Sequence, residues 1–421
     1  MKCGDSVTKT YRAYLTLSSL SVFRGILNRS VLKSYLNLLS KSQAEPDEFL
    51  SAYGEFYSLL CERNVSGKVA YTVTQAALFD ENAFTLAAAG GKADELPDSV
   101  LIATKRDCEA ILALCSLTAD DIINDYSHKD DISEILEKLP KFGLGEPVAE
   151  FAGGRIDLSM LADFYKHNGC GMFARYKAFV WRDGDIQPVQ HPDRIDMDSF
   201  IGYERQRNKI VDNTIAFING RTCNNCLLYG DMGTGKSSTV KAIANEFRKD
   251  GLRVVEMPKE RLMDFPLLVD KIAALPMKFI IFIDDLSFQS QDKSYTSLKA
   301  VLEGGLAARP DNALIYATSN RRHIIKESWQ DRDTDDIHRR DNMQETLSLS
   351  DRFGLAVCFS NPDKNEYLDI VTALARKAGI TMPEDKLGIK AEQFAIGRGG
   401  RSPRCAKQFV EALLVEDSAQ N

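Results

Sequence analysis

No stretch of this chain approaches the ~18 consecutive apolar residues that a bilayer-crossing helix needs, so no membrane span is expected. A basic surplus is also missing. Sixty acidic side chains against 53 basic ones leave a net charge of -7, which argues against coating nucleic acid by charge alone. A local basic patch remains compatible with that balance, so nucleic acid is a partner the charge does not indicate. Histidine is scarce, and the five present (His128, His167, His191, His323, His338) fall at no metal-ligand spacing. The nine cysteines are scattered and odd in number, which suits a reducing cytoplasm better than a disulfide framework. Cys223 and Cys226 have CxxC spacing but no second pair to complete a zinc site, so they are expected as two small residues at a loop-to-strand junction. The amino-terminal stretch "MKCGDSVTKTYRAYLTLSSLSVF" interrupts its apolar residues with Thr, Ser and Arg, unlike a secretory signal.

What is present is 421 residues of ordinary globular composition, more than one core normally holds. Residues 1–172 read as a mostly helical domain. "PDEFLSAYGEFYSLLCERN" opens on Pro46 and Asp47, a helix start, and then repeats Phe49, Tyr53, Phe56, Tyr57 and Leu60 at helical spacing. "DCEAILALCSL" and "DDISEILEKL" read the same way. From about Phe173 the pattern changes. "FARYKAFVWRDGDIQPVQHP" suggests a short strand pair or an extended arm, and Asp198 or Ser199 is placed to cap a helix carrying Ile210, Thr214 and Phe217 on one face. Short apolar runs then alternate with amphipathic helices: "NCLLYG", "LRVVEMP", "KFIIFID" and "NALIYATSN" as strands, "GKSSTVKAIANEFRKDG", "DFPLLVDKIAAL" and "YTSLKAVLEGGL" as helices. That alternation predicts an α/β domain with a parallel sheet covered on both faces over 173–360. Residues 361–421 read as helices again.

"GDMGTGKSS" fits the phosphate-loop pattern GxxxxGK[ST], with a strand before it and a helix after it. Glycines at 230, 233 and 235 let the backbone of Gly230, Asp231, Met232, Gly233, Thr234, Gly235, Lys236, Ser237 and Ser238 turn its N–H groups toward phosphate oxygens. The helix amino terminus adds partial positive charge, Lys236 reaches the β- and γ-phosphates, and the Ser237 hydroxyl ligates Mg²⁺. About fifty residues on, "FIIFID" is a buried strand running into Asp284 and Asp285. Asp284 is the expected Mg²⁺ residue, acting through water, and Asp285 the group that orients or deprotonates the attacking water. "NALIYATSN" ends in Thr318, Ser319 and Asn320, whose amide is placed to position that water. "SLSDRFG" offers Arg352 as an arginine finger or, more plainly, as a surface ion-pair residue. "GRGGRSPR" puts Arg398, Arg401 and Arg404 at a helix start, as phosphate contacts or as a basic turn.

The order of "FIGYERQ", "GDMGTGKSS", "FIIFIDDLSF", "ATSN", "SDRFG" and "GGRSPR" resembles an AAA+ ATPase module. More narrowly it is similar to the uncharacterised bacterial ATPases grouped as domain of unknown function 815, over roughly residues 175–415. The resemblance implies a five-stranded parallel sheet with a carboxy-terminal helical lid and ATP between them. It places Lys236 and Ser237 in Walker A, Asp284 and Asp285 in Walker B, Asn320 at sensor 1 and Arg404 at sensor 2. Arg352 becomes a finger acting on the neighbouring subunit's nucleotide, and Gly202 and Tyr203 fall in the segment that contacts adenine. Most such modules carry Glu where this chain has Asp285.

The expected protein is thus a cytoplasmic, Mg²⁺-dependent ATPase that binds ATP and ADP, forms a homo-oligomer when ATP-bound, and remodels an unidentified macromolecular client, expected to be a protein, with the helical amino-terminal third as its client-binding or regulatory part. The alternatives are a nucleotide-gated switch with little hydrolysis and a helicase-loader-like ATPase. A small-molecule kinase would lack the late series Asn320, Arg352 and Arg404. The charged run Lys326–Glu345 is read as a solvated loop or a segment ordered by a partner.

Overall fold

Pro46 occupies the first turn of the helix Pro46–Glu62, where its missing N–H costs nothing, and Asp47 and Glu48 complement the helix dipole beside it. The face built by Phe49, Ala52, Tyr53, Phe56 and Leu60 is buried, whereas Tyr57 is half-exposed. Phe49 stacks on Tyr126 with ring centroids 4.0 Å apart, and Phe56 on Tyr35 at 4.7 Å. The aromatic stripe is core packing. These contacts belong to the first of two compact units, Met1–Arg175 and Tyr176–Asn421, in a computed structural model that describes residues 7–154, 156–286, 288–289, 298, 302, 310–320, 325–326 and 352–420.

The first unit is helical: α1 (Lys9–Ser18), α2 (Ser30–Ser40), α3 (Pro46–Glu62), α4 (Val69–Leu78), α5 (Ala83–Ala89), α6 (Asp98–Leu114), α7 (Ala119–Asn124), α8 (Ser133–Leu136), α9 (Leu158–Asn168) and α10 (Gly171–Arg175). One expectation is corrected here. "DDISEILEKL" makes only the single turn α8, because no side chain caps its start and Pro140 follows closely. A buried carboxylate, Asp107, accepts from the backbone N–H groups of Ser21 (2.8 Å) and Phe23 (3.1 Å) and so fixes the chain between α1 and α2.

In the second unit a hairpin of β1 (Ala178–Arg182) and β2 (Asp185–Pro188) precedes α11 (Glu204–Ile218). Then come β3 (Cys226–Gly230), α12 (Lys236–Glu246), β4 (Leu252–Glu256), α13 (Phe265–Ala273), β5 (Lys278–Ile283), β6 (Phe288–Gln289), β7 (Ala313–Ser319), β8 (Ile325–Lys326) and β9 (Leu355–Phe359). The carboxy-terminal part is α14 (Lys364–Lys377), α15 (Glu384–Gly397) and α16 (Pro403–Gln420). The sheet order is β2-β1-β4-β5-β7-β3-β9. Five neighbours, β4-β5-β7-β3-β9, are mutually parallel and form the expected sheet. The hairpin extends it to seven strands: β1 pairs parallel with β4 and antiparallel with β2. β6 and β8 form a separate two-stranded parallel ribbon.

β7 is buried along its whole length and β5 from Phe279 to Ile283, as strands covered on both faces should be. Ile210 and Phe217 of α11 pack with Leu228, Val254, Ile280, Phe282, Leu314 and Val357 in one core. The last three helices make a separate core around Tyr367, Val371, Ala391, Ala406 and Phe409, which is the lid. Asp198 and Ser199 do not cap α11. They lie in a short 3₁₀ turn, and the helix starts after Tyr203, a left-handed residue with φ 60°. Cys226 opens β3 buried, and Cys223 is half-buried in the preceding loop, neither of them in a disulfide. No helix among the described residues is long and apolar enough to cross a membrane. Most of the "YTSLKAVLEGGL" helix and of the Lys326–Glu345 run lies outside the described residues.

Candidate functional site

β3 ends at Gly230, paired with Phe359 of β9. A Cβ at Gly230 would come 2.2 Å from the Phe359 carbonyl oxygen, and its φ is 131°, so only glycine fits. Gly233 (φ 78°) and Gly235 (φ 91°) make the remaining left-handed turns, and α12 begins at Lys236. The loop is held from within and from outside. Thr234 Oγ1 donates to the Asp231 carbonyl at 2.8 Å, the Asp231 amide donates to Phe359 O at 2.9 Å, and the Asn361 amide donates to Asp231 Oδ2 at 2.7 Å. Lys236 folds back over the loop and donates to the Gly230 (3.0 Å) and Asp231 (2.6 Å) carbonyls. It is only 6% exposed. Burial pulls its ammonium below the ordinary lysine range; Asp231, Asp284 and Asp285 oppose that shift and Arg404 adds to it. A triphosphate bound in the loop would replace two neutral carbonyl acceptors with anionic oxygens.

Opposite the loop, the Ser237 hydroxyl donates to Asp284 Oδ1 at 2.6 Å. Thr318, at the end of β7, donates to the same oxygen at 2.5 Å and accepts from the Asp285 amide at 2.9 Å. Asp285 turns away with φ 50°, and its Oδ1 accepts from Asn320 Nδ2 at 2.8 Å. The Leu286 amide closes the turn on the Thr318 carbonyl at 2.7 Å. The donor set fits magnesium as far as the protein supplies it: two hard oxygens, Ser237 Oγ and Asp284 Oδ1, already adjacent. No group of three or more acidic, His or Cys residues among the described residues could hold a metal alone. A cation that retains waters and binds phosphate oxygens needs no more than this pair.

The third side of the site is a strap, residues 200–203, between the sheet and the lid. A Cβ at Gly235 would lie 3.8 Å from the Phe200 ring, Ile201 packs on the lid core, and a Cβ at Gly202 would lie 3.6 Å from Ile370 of α14. Tyr203 packs against the sheet core, stacks on Phe359 at 5.5 Å and donates its hydroxyl to the Ser360 carbonyl at 2.7 Å. Burial pushes its phenol up to about 12. Of the three arginines in "GRGGRSPR", one reaches the loop. The Arg404 amide donates to the Gly233 carbonyl at 3.1 Å, at the start of α16. Arg401 instead forms a two-pronged pair with Glu392 of α15 (2.8 and 2.7 Å), and Arg398 lies over the Phe394 ring at 5.3 Å.

Arg352 is not at this chain's loop. It stands three residues before β9, which runs parallel to β3 from Leu355 beside Cys226 to Phe359 beside Gly230. The phosphate loop lies past the far end, about 13 Å along the strand from Leu355. Met232 is 68% exposed at the loop tip, Ser238 lies in the first turn of α12, and among the described residues neither makes a contact that assigns it a role. Sequence reasoning singled out neither Asp231 as the anchor for Asn361 nor Phe200 beside Gly235, because both depend on which distant segments meet. The polar residues closing β7 did carry a signal for Thr318, although not for its two hydrogen bonds, to the Asp284 carboxylate and from the Asp285 amide.

The chain matches the family described as "Protein of unknown function (DUF815)" over residues 174–417, and it belongs to that family. No curated protein matches it. Among solved structures it is similar to the Thermotoga maritima RuvB Holliday junction branch migration motor, at 16% identity over 52% of this chain and 63% of that one, TM-score 0.35. It is also similar to the replication initiator DnaA bound to AMPPCP and single-stranded DNA, at 16% identity over 53% of this chain and 66% of that one, TM-score 0.37. The chain thus spans less than two thirds of the RuvB chain. Parallel sheet, phosphate loop and helical lid together give the second unit the architecture of a phosphate-loop nucleotide-binding fold.

Proposed function

We propose that this member of the DUF815 family is a Mg²⁺-dependent ATPase that couples ATP hydrolysis to remodelling of a macromolecular client. The observation that carries the reading is the meeting of Ser237, Asp284, Thr318, Asp285 and Asn320 through hydrogen bonds at the ends of three adjacent parallel strands, beside a phosphate loop over which Lys236 is folded. The loop amides of 231–238 cradle the β- and γ-phosphates, and Lys236 exchanges its carbonyl partners for phosphate oxygens. Ser237 and Asp284 would hold Mg²⁺, which when bound would supply positive charge against the phosphate oxygens. Asp285 accepts a hydrogen bond from the attacking water, and Asn320 orients the pair. Arg404 brings positive charge from the lid. Arg352 serves the nucleotide of a neighbouring copy, so the active form is a homo-oligomer with ATP bound. Gly202 and Tyr203 lie where the base would sit, and the helical first unit is the part we assign to the client. We place the protein in the cytoplasm.

The Asp285–Asn320 bond favours a second reading, a nucleotide-gated switch. A short carboxylate already engaged by an amide is a poor base until that bond rearranges. Single-turnover hydrolysis of pre-bound ATP by wild type, Lys236→Ala and Asp285→Asn separates the two. A motor turns over and loses turnover in both variants. A switch binds ATP, and wild type hydrolyses no faster than Asp285→Asn. Wild-type binding that survives Lys236→Ala unchanged removes the phosphate-loop assignment.

A further inference from the structure

Arg207, on the first turns of α11, is only 6% exposed and lies outside every motif named above. Its guanidinium donates to the Gly202 carbonyl, lies 4.9 Å over the Phe200 ring, and sits 3.7 Å from Glu204 Oε1. A buried arginine is costly unless planar partners use its face and its N–H groups. Here both are spent on the strap. The ring under the guanidinium is the one beside Gly235 of the phosphate loop, and the carbonyl it binds belongs to the residue against Ile370 of the lid. Burial lowers the Arg207 guanidinium below its usual range, so removing its partners would leave a poorly solvated charge.

We infer that Arg207 is a positioning residue for the nucleoside half of the nucleotide. It locks Phe200–Tyr203 into a rigid wall between lid and sheet, while the phosphates are held independently by residues 230–238. Binding is then divided. The loop sets affinity for the triphosphate, and the Arg207-clamped strap sets the additional affinity for base and ribose. This rests on the nucleotide reading above, and it adds what decides discrimination between ATP and bare polyphosphate. A left-handed Tyr203 and a left-handed Gly202 in succession (φ 60° and 76°) give the strap no regular hydrogen-bonded element of its own. The guanidinium supplies that restraint from α11.

The test is isothermal titration of the full chain with ATP and with inorganic tripolyphosphate, for wild type, Arg207→Ala, Arg207→Lys, Phe200→Ala and Lys236→Ala. Wild type is expected to bind ATP more tightly than tripolyphosphate. Arg207→Ala should lose about tenfold or more in ATP affinity with tripolyphosphate affinity unchanged. Arg207→Lys, which keeps the charge but not the plane, should recover only part of it, and Phe200→Ala should reproduce the selective loss if Arg207→Ala does not fold. Equal losses for both ligands, or none, in the folded variants overturn the inference. Failure of wild type to bind either ligand, or retention of both by Lys236→Ala, overturns the nucleotide reading instead.

Discussion

Thr318 Oγ1 stands 2.5 Å from Asp284 Oδ1 and donates its hydroxyl hydrogen to it, beside the Ser237 hydroxyl that donates to the same oxygen. The lone pairs that remain accept the Asp285 amide at 2.9 Å, so one hydroxyl at the end of β7 arranges both acids at the end of β5. Thr318→Val keeps the shape and removes the hydroxyl. We expect turnover to fall about 10–100-fold, with a matching rise in the Mg²⁺ needed for half-maximal rate, in the range of lost outer-shell partners at metal sites. A Mg²⁺ titration of ATP hydrolysis measures both.

The backbone at Asp285 explains why an aspartate stands there. Its φ of 50° lies in the left-handed region, which Asp and Asn tolerate better than longer side chains. Asp285→Asn should leave thermal stability within about 0.5 kcal/mol and reduce hydrolysis by at least about 100-fold. Asp285→Glu should cost about 1 kcal/mol of stability for the less tolerant backbone. Thermal melts paired with single-turnover rates check each half.

Gly230 cannot take a side chain without moving Phe359. Gly230→Ala should destabilise the second unit by about 2 kcal/mol or more and weaken ATP binding, since the displaced strand carries Ser360 and Asn361 with it. Gly220 also has a positive φ but open space around it, and Gly220→Ala is the control for backbone strain alone. Thermal unfolding and ATP titration of the two variants should differ in that order.

Arg352→Ala should lower turnover by ~10³-fold if the guanidinium meets transition-state charge. Mixed with Lys236→Ala, it should regain activity, because one variant supplies the loop and the other the arginine. Hydrolysis measured across mixing ratios should peak near equal amounts. Two inactive proteins that stay inactive when mixed would assign Arg352 to its own chain or to structure.

Glu392 and Arg401 join α15 to the start of α16, the helix that reaches the loop through Arg404. The Arg401 hydrogen bonds hold the Glu392 carboxyl below the ordinary glutamate range. A depressed folded-state value means that the contribution is full above the ordinary range and is lost as pH falls through the depressed one. Glu392→Gln should therefore be less stable than wild type at neutral pH, with the difference closing in acid. Melting temperatures of the two proteins across that interval check the sign.

The elements of the second unit were legible because their signals are local. Apolar runs ending in Gly230 and Asp284, a GKSS helix start, and an ATSN strand end each sit within ten residues of chain. The structure brings those segments together at the carboxy-terminal ends of three neighbouring strands. The rest depends on partners far apart in sequence. Nothing near Asp198 or Ser199 announces that the helix waits for a left-handed Tyr203, whose conformation is supported by Ser360 and Phe359. The stretch 178–188 was readable as a strand pair or an extended arm; that it is a strand pair beside β4 follows from tertiary pairing alone. The "DDISEILEKL" periodicity failed because a pattern without a cap, ending at a proline, has too few hydrogen bonds to propagate.

β9 has five residues. Arg352 precedes it, and Ser360 and Asn361, which grip Tyr203 and Asp231, follow it. An extended strand hydrogen-bonded along one side resists shortening. On the proposed reading, a displacement of Arg352 along that axis by another copy's nucleotide would reach this chain's own strap and loop undiminished. Two successive ATP sites would then be linked mechanically through one edge strand, with no intervening domain to relay the motion.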